Sequence, residues 1–530
     1  MAGADLCLVL HAHLPFVRHP EHRFHLEEQW LYEAVLATYL PLLDLLGRLD
    51  RDGIPGRLTL SMSPTLGTML DDPLLRQRTR SYLADRVKLA DRELVRTKGD
   101  PHLQYLGRFY QERFSHLLSL WDSCDGALPA AFGGYHRRGR IELITVAATH
   151  GYLPAIAHPE ARRAQIVVAV ADHERRFGAR PRGIWLPECG YVDGVDRLLV
   201  EHGIVFCVLD SHAVLNARPR PPHRVYAPIL TPAGLLVFPR DVESSKQVWS
   251  AKEGYPGDGL YRDFYRDIGF DLPLSDVEEF VHPDGIRVHT GLKYHRVTGG
   301  DVPLGQKELY DPWQAEQRAS VHASNFAFNR EHQVRHLRAQ MHARPVIVAP
   351  YDAELFGHWW FEGPWFLESL LRKLAFDHVD GPDSIRAATP LDYIQQEQAQ
   401  AVCEPSPSSW GDGGYSTVWI DPSNDWIYRH THRAERRLHA LMIHADKGGL
   451  IERALRQAAR ELLLAQASDW AFIMKTGTTV EYAVMRVKTH LARFNKLADA
   501  IEGDAIDESW LASAEARSPI FADLDLAAYR

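Results

Sequence analysis

Residues 350–360 hold the densest group of reactive and aromatic side chains in the sequence. This segment contains Asp352 and Glu354, followed by a histidine and two tryptophans. It comes directly after an apolar run, residues 345–349, that is typical of a buried strand. In α/β barrels, catalytic residues lie at the carboxyl ends of the strands. Carboxylates beside flat aromatic rings suit a sugar polymer, because pyranose rings stack on indoles and an acid can cleave the linkage.

Glu188 is the second candidate for a catalytic carboxylate. It follows residues 184–187, an apolar run that ends in a proline, so the strand should stop there and leave Glu188 at the rim of the sheet. Such a carboxylate can attack an anomeric carbon, although an ion-paired surface glutamate would give the same local pattern. Together with Asp352 it could support retaining glycosidase chemistry, in which one carboxyl group is the nucleophile and the other the acid/base. The aromatic residues around Asp352 would raise the pKa of the acid, and Glu354 is its rival.

His11 and His13 follow the first predicted strand. Because side chains alternate along a strand, both imidazoles should lie on one face of the sheet. They could bind sugar hydroxyls or orient Glu188, they could be purely structural, or they could begin a zinc site like that of amidohydrolase-type barrels. The residues that could complete such a metal site are His150, His289, His295 and Asp352.

Short apolar runs recur along the first 350 residues and alternate with helical patterns. Such runs fit parallel strands that are covered on both faces. Several of them end in a polar or charged residue, which favours a barrel with its site at the carboxyl rim. The predicted strands are residues 6–10, 183–186, 204–209, 235–238, 286–289 and 345–349. We expect six or seven strands with sizeable insertions.

The chain divides into an α/β part, residues 1–395, and a C-terminal helical part, residues 396–530. Apolar residues at spacings of three and four predict a helical insertion at about residues 70–130. Residues 241–275 are rich in glycine, tyrosine and aspartate and are interpreted as a long rim loop. The turn-rich residues 395–425 mark the junction. Apolar stripes then predict helices at residues 426–445, 449–466 and 478–502.

Two tryptophans at the junction are candidates for sugar contact. Trp410 lies beside glycines that let the backbone approach a ligand closely, and Trp419 follows it. A cluster of tryptophans at a domain interface would give the same pattern.

The composition is that of an ordinary globular protein, with 45% hydrophobic and 24% charged residues among 530. The formal net charge of −9 gives no sign of a nucleic-acid or anionic-membrane partner. No apolar run reaches the roughly 20 residues that a membrane span needs, and the first residues lack a basic leader, so we expect a cytoplasmic protein. The five scattered cysteines argue against a disulfide framework and a zinc knuckle.

Five blocks, in order along the chain, resemble glycoside hydrolase family 57, and specifically its α-1,4-glucan branching enzymes. The blocks are HAHLP at residues 11–15, GRIE with ATHGY at 139–152, WLPE at 185–188, YDAELFGHW at 351–359, and SWG with a later tryptophan at 409–419. Residues 247–250 and 254–258 favour the branching subgroup over the amylases of the family.

The resemblance implies an incomplete (β/α)7 barrel with a helical insertion and a C-terminal helical domain that closes over the cleft. It implies that Glu188 is the nucleophile and Asp352 the acid/base, that no metal or cofactor is required, and that the substrate is an α-1,4-glucan such as amylose or a glycogen-like polymer. The positions that match substrate-binding residues of the family are Arg240, Gly257, Trp410, Asp469 and Thr478. Trp30, Trp419, His11 and His13 are further candidates for contacts in the cleft.

Three functions stay open at this point. The first is a retaining branching enzyme that makes α-1,6 linkages by double displacement, and the second is an α-glucan hydrolase or 4-α-glucanotransferase on the same scaffold. The third is a zinc-dependent amidohydrolase-like barrel that uses His11 and His13. We expect a monomer or a small homo-oligomer.

Overall fold

The computed structural model describes residues 3–250, 253–377, 381–397 and 400–530. Its strands are β1 Ala4–Ala12, β2 Thr59–Met62, β3 Glu142–Val146, β4 Gly183–Trp185, β5 Phe206–Leu209, β6 Ile229–Leu230, β7 Leu236–Pro239, β8 Val346–Asp352, β9 Ile385–Ala387 and β10 Ala401–Val402.

Seven parallel strands form the centre of the molecule, in the order β7–β5–β4–β3–β2–β1–β8. β9 pairs with the start of β1, while β6 runs antiparallel to β7 and carries β10 on its other edge. Among the described residues β7 and β8 do not pair as strands. The backbone N–H of Asp241, just past β7, nevertheless donates to the carbonyl of Val348 at 2.8 Å, so the two sheet edges approach each other. The predicted incomplete seven-stranded barrel is confirmed.

Five of the six predicted strands are present, and one is wrong. Residues 286–289 form no strand; they lead into Thr290, whose N–H and hydroxyl both donate to the buried carboxylate of Asp267. Two strands of the central seven, β2 and β3, were not predicted from the apolar pattern, and neither were the short strands β6, β9 and β10. β2 reads Thr-Leu-Ser-Met, and its polar residues, though buried, hide it from a search for apolar runs.

The helices that surround the sheet are α1 Gln29–Ala34, α2 Leu40–Arg51, α3 Pro64–Asp71, α4 Pro73–Arg96, α5 Pro101–Ser123, α6 Leu128–Arg137, α7 Pro159–Phe177, α8 Val195–Glu201, α9 Ser211–Leu215, α10 Val242–Trp249, α11 Ile268–Asp271, α12 Leu274–Val277, α13 Pro312–Arg338, α14 Gly363–Phe376, α15 Pro390–Gln396, α16 Trp426–Leu441, α17 Gly449–Ala465, α18 Ser468–Thr476, α19 Val480–Glu502 and α20 Glu508–Arg517. No helix in the described ranges is both long and apolar enough to cross a membrane.

The predicted helical regions correspond closely to these elements. The insertion is the pair α4 and α5, and the three predicted C-terminal helices are α16, α17 and α19. The rim loop differs from the prediction, since it begins with the helix α10 and also contains α11. Asp241 starts α10 by accepting a hydrogen bond from the backbone N–H of Ser244 at 2.8 Å, an N-cap that the sequence pattern did not indicate. The division of the chain near residue 395 stays a prediction.

A buried ion pair fixes α10 against α13. The side chain of Arg330, on α13, is fully buried and donates to Asp241 at 3.0 Å and to Glu243 at 2.6 Å. Asp241 is itself buried and caps α10, which ends in Trp249 at the rim of the barrel. One guanidinium therefore neutralises a buried charge and holds the rim helix in place.

We predict that Arg330→Met lowers the stability of the protein, because it leaves Asp241 buried without a cation. Removing one partner of a buried ion pair costs about 3–5 kcal/mol. Scanning calorimetry should therefore record a clearly lower melting temperature. Arg335→Met is the matched control. Arg335 lies on the same helix as Arg330, but its side chain is 58% exposed where it pairs with Asp383. Equal melting temperatures for the two variants would contradict the role given to Arg330.

Candidate active site

Glu188 lies in a strained turn directly after β4. Its φ is +61° and that of Cys189 is +50°, in the left-handed region that non-glycine residues rarely adopt. Such strain persists where surrounding contacts enforce it, and it is concentrated at functional sites. Here the carbonyl of Glu188 accepts from the backbone N–H of Trp410 at 2.9 Å, and the N–H of Cys189 donates to the carbonyl of Leu186 at 2.8 Å.

The carboxylate of Glu188 accepts one hydrogen bond on each oxygen. Nε1 of Trp410 donates to Oε2 at 2.9 Å, and Oγ of Ser468 donates to Oε1 at 2.8 Å. Nδ1 of His150 lies 3.7 Å from Oε1. Burial raises the pKa of Glu188 to about 6, and the two hydrogen bonds oppose this rise because they favour the charged form. Glu188 is therefore mostly ionised near neutral pH.

Asp352 is the last residue of β8, where it is in register with His11 of β1. Burial raises the pKa of Asp352 well above its ordinary value. The negative charges of Glu354 and Glu188 raise it further, and the positive charge of Arg240 opposes them. Burial and like charge thus favour the protonated form of Asp352, whereas the hydrogen bonds to Glu188 favour its ionised form, and this contrast suits a division of roles between an acid and a nucleophile.

Glu354, the rival acid, is bound into the scaffold. Its Oε1 accepts from the hydroxyl of Tyr39 and from the backbone N–H of His13, the latter at 3.3 Å. Burial raises the pKa of Glu354 to about 7. Because Glu354 is held by these hydrogen bonds, and because its charge raises the pKa of Asp352, Asp352 is the better candidate for proton donation.

The two histidines of the first block are fixed by serines of the neighbouring strand end. Nδ1 of His11 lies 2.7 Å from Oγ of Ser61, and Nδ1 of His13 lies 2.9 Å from Oγ of Ser63. Nε2 of His13 lies 3.1 Å from both carboxylate oxygens of Asp469. The predicted binding residues His13 and Asp469 therefore meet across 456 positions of the chain.

The metal site predicted for His11 and His13 is not assembled as expected. His289 lies beside Asp267, 3.7 Å from it, and Asp263 donates its N–H to the carbonyl of His295, so both lie on the loop that follows the rim helix. A different trio, formed by His13, His150 and Asp469, has ligand atoms within 4.8 Å of one another. Those atoms already take part in hydrogen bonds, and both ring nitrogens of His150 have protein partners.

A row of tryptophans leads from Glu188 toward solvent. The ring of Trp410 lies edge-on to Trp185 at 5.0 Å and to Trp249 at 6.4 Å. Trp249 in turn lies 6.2 Å from Trp359, which is 45% exposed. The guanidinium of Arg240 lies 6.0 Å from the ring of Trp410 and pairs with an aspartate after β5. These flat faces and donors line a path on which sugar rings could stack.

Trp419 requires a correction, because the structure buries it. Only 1% of the residue is exposed, and its ring stacks on Tyr152 at 4.8 Å. Its ring is therefore not accessible to a glucan, and Trp419 packs in the interior of the junction, as the alternative interpretation of this tryptophan expected.

Three other predicted binding residues lie outside the hydrogen bonds and ring contacts described for the carboxylates. Trp30 is half-buried edge-on to Tyr482 at 5.8 Å, Gly257 ends a turn after α10, and Thr478 is exposed between α18 and α19. Within the part of the chain that the structure describes, no hydrogen bond or ring contact joins these three to Glu188 or Asp352. Their roles stay predictions.

Sequence reasoning missed the serines that complete the site. Ser61, Ser63 and Ser468 bond the two histidines and the nucleophile, but a single serine has no distinctive pattern. One signal was available for the first two: their spacing of two residues repeats that of His11 and His13. The register of β1 and β2 sets His11 opposite Ser61.

A parallel barrel with two partly buried carboxyl groups at the carboxyl ends of its strands defines the class of α/β-barrel enzymes to which this protein belongs. The model described as "Glycosyl hydrolase family 57" matches residues 7–404. The chain is therefore a member of glycosyl hydrolase family 57, and the predicted resemblance is confirmed. A second model, described as "1,4-alpha-glucan branching enzyme, C-terminal", matches residues 430–529. Membership of this family makes the amidohydrolase reading wrong.

Similar proteins cover nearly the whole chain. A 1,4-alpha-glucan branching enzyme of Thermococcus kodakarensis is 32% identical over 527 residues, which is 94% of this chain and 73% of that protein. A probable 1,4-alpha-glucan branching enzyme of Mycobacterium tuberculosis is 30% identical over 523 residues, which is 93% of this chain and 91% of that protein.

Two solved structures extend these likenesses. The alpha-amylase AmyC from Thermotoga maritima has a TM-score of 0.93 at 40% identity, with 100% of this chain and 99% of that one covered. A GH57-type branching enzyme from Pyrococcus horikoshii has a TM-score of 0.89 at 32% identity, with 99% and 97% covered.

We predict that Trp410→Phe moves the acid limb of the pH profile. The substitution keeps an aromatic ring but removes the N–H that favours the ionised form of Glu188, so the pKa of Glu188 should rise above about 6. The loss of one hydrogen bond to a charged group corresponds to a shift of about one pH unit. The measurement is kcat/KM on amylose from pH 4 to pH 9.

The matched control for this experiment is Trp249→Phe. Trp249 belongs to the same tryptophan row, but its neighbours in that row are the rings of Trp410 and Trp359. It should change KM and leave the acid limb where it is. An unmoved limb in Trp410→Phe would mean that the indole N–H does not act on the nucleophile.

Proposed function

We propose that this protein is a retaining 1,4-α-glucan branching enzyme. The observation that supports this most directly is the pair of unlike carboxyl groups: Glu188 carries hydrogen bonds that favour its charge, while burial and neighbouring carboxylates favour the protonated form of Asp352. Retaining glycosidases need such a pair. The match of the C-terminal residues to a model described for branching enzymes supports transfer as the outcome.

In the first step, Glu188 attacks the anomeric carbon of an α-1,4-glucan. The bond from that carbon to the departing oxygen breaks, and Asp352 gives its proton to the oxygen. The product is an ester between Glu188 and the glucan chain. The left-handed turn at Glu188 and its two hydrogen bonds hold the attacking group in place before the substrate arrives.

In the second step, Asp352 acts as a base. It takes the proton of a glucan 6-hydroxyl, whose oxygen attacks the anomeric carbon and breaks the ester bond, so that Glu188 leaves as a carboxylate and an α-1,6 branch is formed. Trp249 and Trp359 provide ring surfaces on which the acceptor glucan can stack. Arg240, Gly257, Trp410, Asp469, Thr478, Trp30 and His13 remain the proposed contacts of the substrate. His11 is no longer proposed as one, because it is 3% exposed and both of its ring nitrogens are bonded, to Ser61 and His150.

A second candidate is an α-glucan hydrolase, because the structure with 40% identity is titled an alpha-amylase. The two functions share every residue of the first step and differ in whether water or a 6-hydroxyl attacks the ester. We also infer an α-1,4-glucan polymer as partner, a cytoplasmic location, a monomer or small homo-oligomer, and a domain division near residue 395. No metal or cofactor takes part in the proposed steps.

We predict that incubation with amylose produces α-1,6 linkages. Proton NMR should detect the new anomeric signal, and debranching should release short linear chains. Branching conserves reducing ends, whereas hydrolysis creates one for each bond cleaved. Reducing ends that rise as fast as cleavage, without new α-1,6 signals, would assign the protein to the hydrolases.

We predict that Glu188→Gln and Asp352→Asn each lower turnover by roughly 10³-fold or more, because a catalytic group that acts as part of a unit is lost. Circular dichroism and melting temperature should stay near those of the wild type. Asp412→Asn is the control, since Asp412 is an exposed carboxylate in the junction and should change neither property. Near-normal turnover in either catalytic variant would refute its assigned role.

A further inference from the structure

A chain of buried hydrogen bonds runs from β2 to the nucleophile. Oγ of Ser61 lies 2.7 Å from Nδ1 of His11, and Nε2 of His11 lies 3.0 Å from Nε2 of His150. Nδ1 of His150 lies 2.7 Å from Oγ of Ser468, which donates to Oε1 of Glu188 at 2.8 Å. The two serines and two histidines are each at most 3% exposed, so water does not compete for these bonds.

The direction of each bond follows from the carboxylate at the end of the chain. An ionised Glu188 can only accept, so Ser468 gives it its one proton, and the oxygen of Ser468 must accept from Nδ1–H of His150. A neutral imidazole carries a single N–H, so Nε2 of His150 is an acceptor and Nε2–H of His11 donates to it. Nδ1 of His11 is then an acceptor as well, and the hydroxyl of Ser61 must supply the proton.

This assignment needs both imidazoles to be neutral. Burial lowers the pKa of His11 and of His150 well below the ordinary value, and the nearby His13 lowers both further. A cationic His150 would donate from both nitrogens, which would force Nε2 of His11 to accept and turn the bond to Ser61 around. The environment opposes that charge.

These hydrogen bonds also connect the strands of the barrel with the C-terminal helix α18. Ser61 and His11 belong to β2 and β1, whereas Ser468 is the first residue of α18. His150, with a left-handed φ of +58°, receives the backbone N–H of Ser468 on its carbonyl at 3.0 Å. The loop after β3 is therefore tied to the start of α18 by main chain and side chain together.

We infer that Ser61, His11 and His150 are positioning residues that keep the proton of Ser468 directed at the carboxylate of Glu188. If Ser61 could not donate, Nδ1 of His11 would lose the partner that fixes its tautomer. With the proton of His11 on Nδ1, Nε2 of His150 would have to donate, and Nδ1 of His150 would attract the hydroxyl proton of Ser468 away from Glu188. The bond pattern is independent of the reaction, while its effect on rate rests on the proposed function.

Other groups also face the nucleophile and set the baseline for any pH measurement. The titratable neighbours whose charge acts on Glu188, on which it acts, or which lie beside it are His13, Asp469, Asp352, Tyr152, Cys189 and His150. None of these is altered by a substitution at Ser61. A change in the pH profile of such a variant therefore reports on the chain of hydrogen bonds.

Neutron diffraction from deuterium-exchanged crystals of the full chain at pD 7.5 tests the bond directions directly. We expect deuterium on Nε2 of His11 and on Nδ1 of His150, with the opposite nitrogens bare. Deuterium on Nδ1 of His11, or on both nitrogens of His150, would overturn the inference. This readout does not depend on activity, so it stands even if Glu188→Gln proves active and the proposed function fails.

Kinetics test the consequence for the nucleophile. Ser61→Ala should move the acid limb of kcat/KM to higher pH by about one unit, since a hydrogen bond to the carboxylate is weakened. Ser61→Thr retains a hydroxyl and should restore the limb.

The matched control is Ser384→Ala. Ser384 is also a buried serine, but its hydroxyl donates to the carbonyl of Gly381, outside the chain of hydrogen bonds to Glu188, so this variant should leave the limb in place even if it loses stability. A slower or less stable Ser61→Ala enzyme with an unmoved limb would reduce Ser61 to a structural role and overturn the inference.

Discussion

The structure depends on keeping one negative charge inside the protein. A carboxylate that attacks an anomeric carbon must be ionised, yet burial favours its neutral form unless hydrogen bonds compensate. Glu188 obtains these bonds from Trp410 and Ser468, which are 222 and 280 residues away in the chain. Both donors lie beyond the last long strand of the barrel. The C-terminal residues are therefore part of the nucleophile's environment, and the barrel without them would leave that charge unsatisfied.

The second carboxyl group is treated in the opposite way. Burial and the charge of Glu354 both favour the protonated form of Asp352. Arg240 is close enough to moderate this effect without reversing it. Two acids that differ little in water are thus separated by their surroundings: one receives N–H and O–H donors, and the other receives desolvation and like charge. This asymmetry suits the two roles proposed for them, an ionised nucleophile and a protonated acid.

In the proposed mechanism, the choice between transfer and hydrolysis depends on an acceptor site, for which the row of tryptophans is the candidate. Trp410 is bonded to Glu188, and the row continues through Trp249 to Trp359, which is 45% exposed. Trp249 ends α10, and α10 is held by the buried guanidinium of Arg330. The position of Trp249 therefore depends on packing between two helices, α10 and α13, that supply neither candidate carboxylate.

The local pattern of the sequence was sufficient to predict five of the seven central strands and the strand-end positions of the two candidate carboxylates. Five strands, the paired insertion helices and three C-terminal helices follow from apolar periodicity, and Glu188 and Asp352 follow from their positions at strand ends. Periodicity failed where a strand carries functional polar residues, as in β2, and where an apolar run belongs to a loop, as at residues 286–289. Trp410 was interpreted as a stacking surface, and only the structure revealed its N–H on the nucleophile.

The tertiary structure alone decided which side chains from distant segments form hydrogen bonds with each other and which of them are buried together. Trp419 and Trp410 look alike in the sequence, yet one is buried behind the junction and the other bonds Glu188. Ser61, His150 and Ser468 are unremarkable until three separate segments bring them within 3 Å of their partners. Apolar periodicity is a property of residues that are close in sequence, and it shows which side of a segment packs against the core. Hydrogen-bond direction depends on atoms contributed by remote segments, so it exists only once the chain has folded.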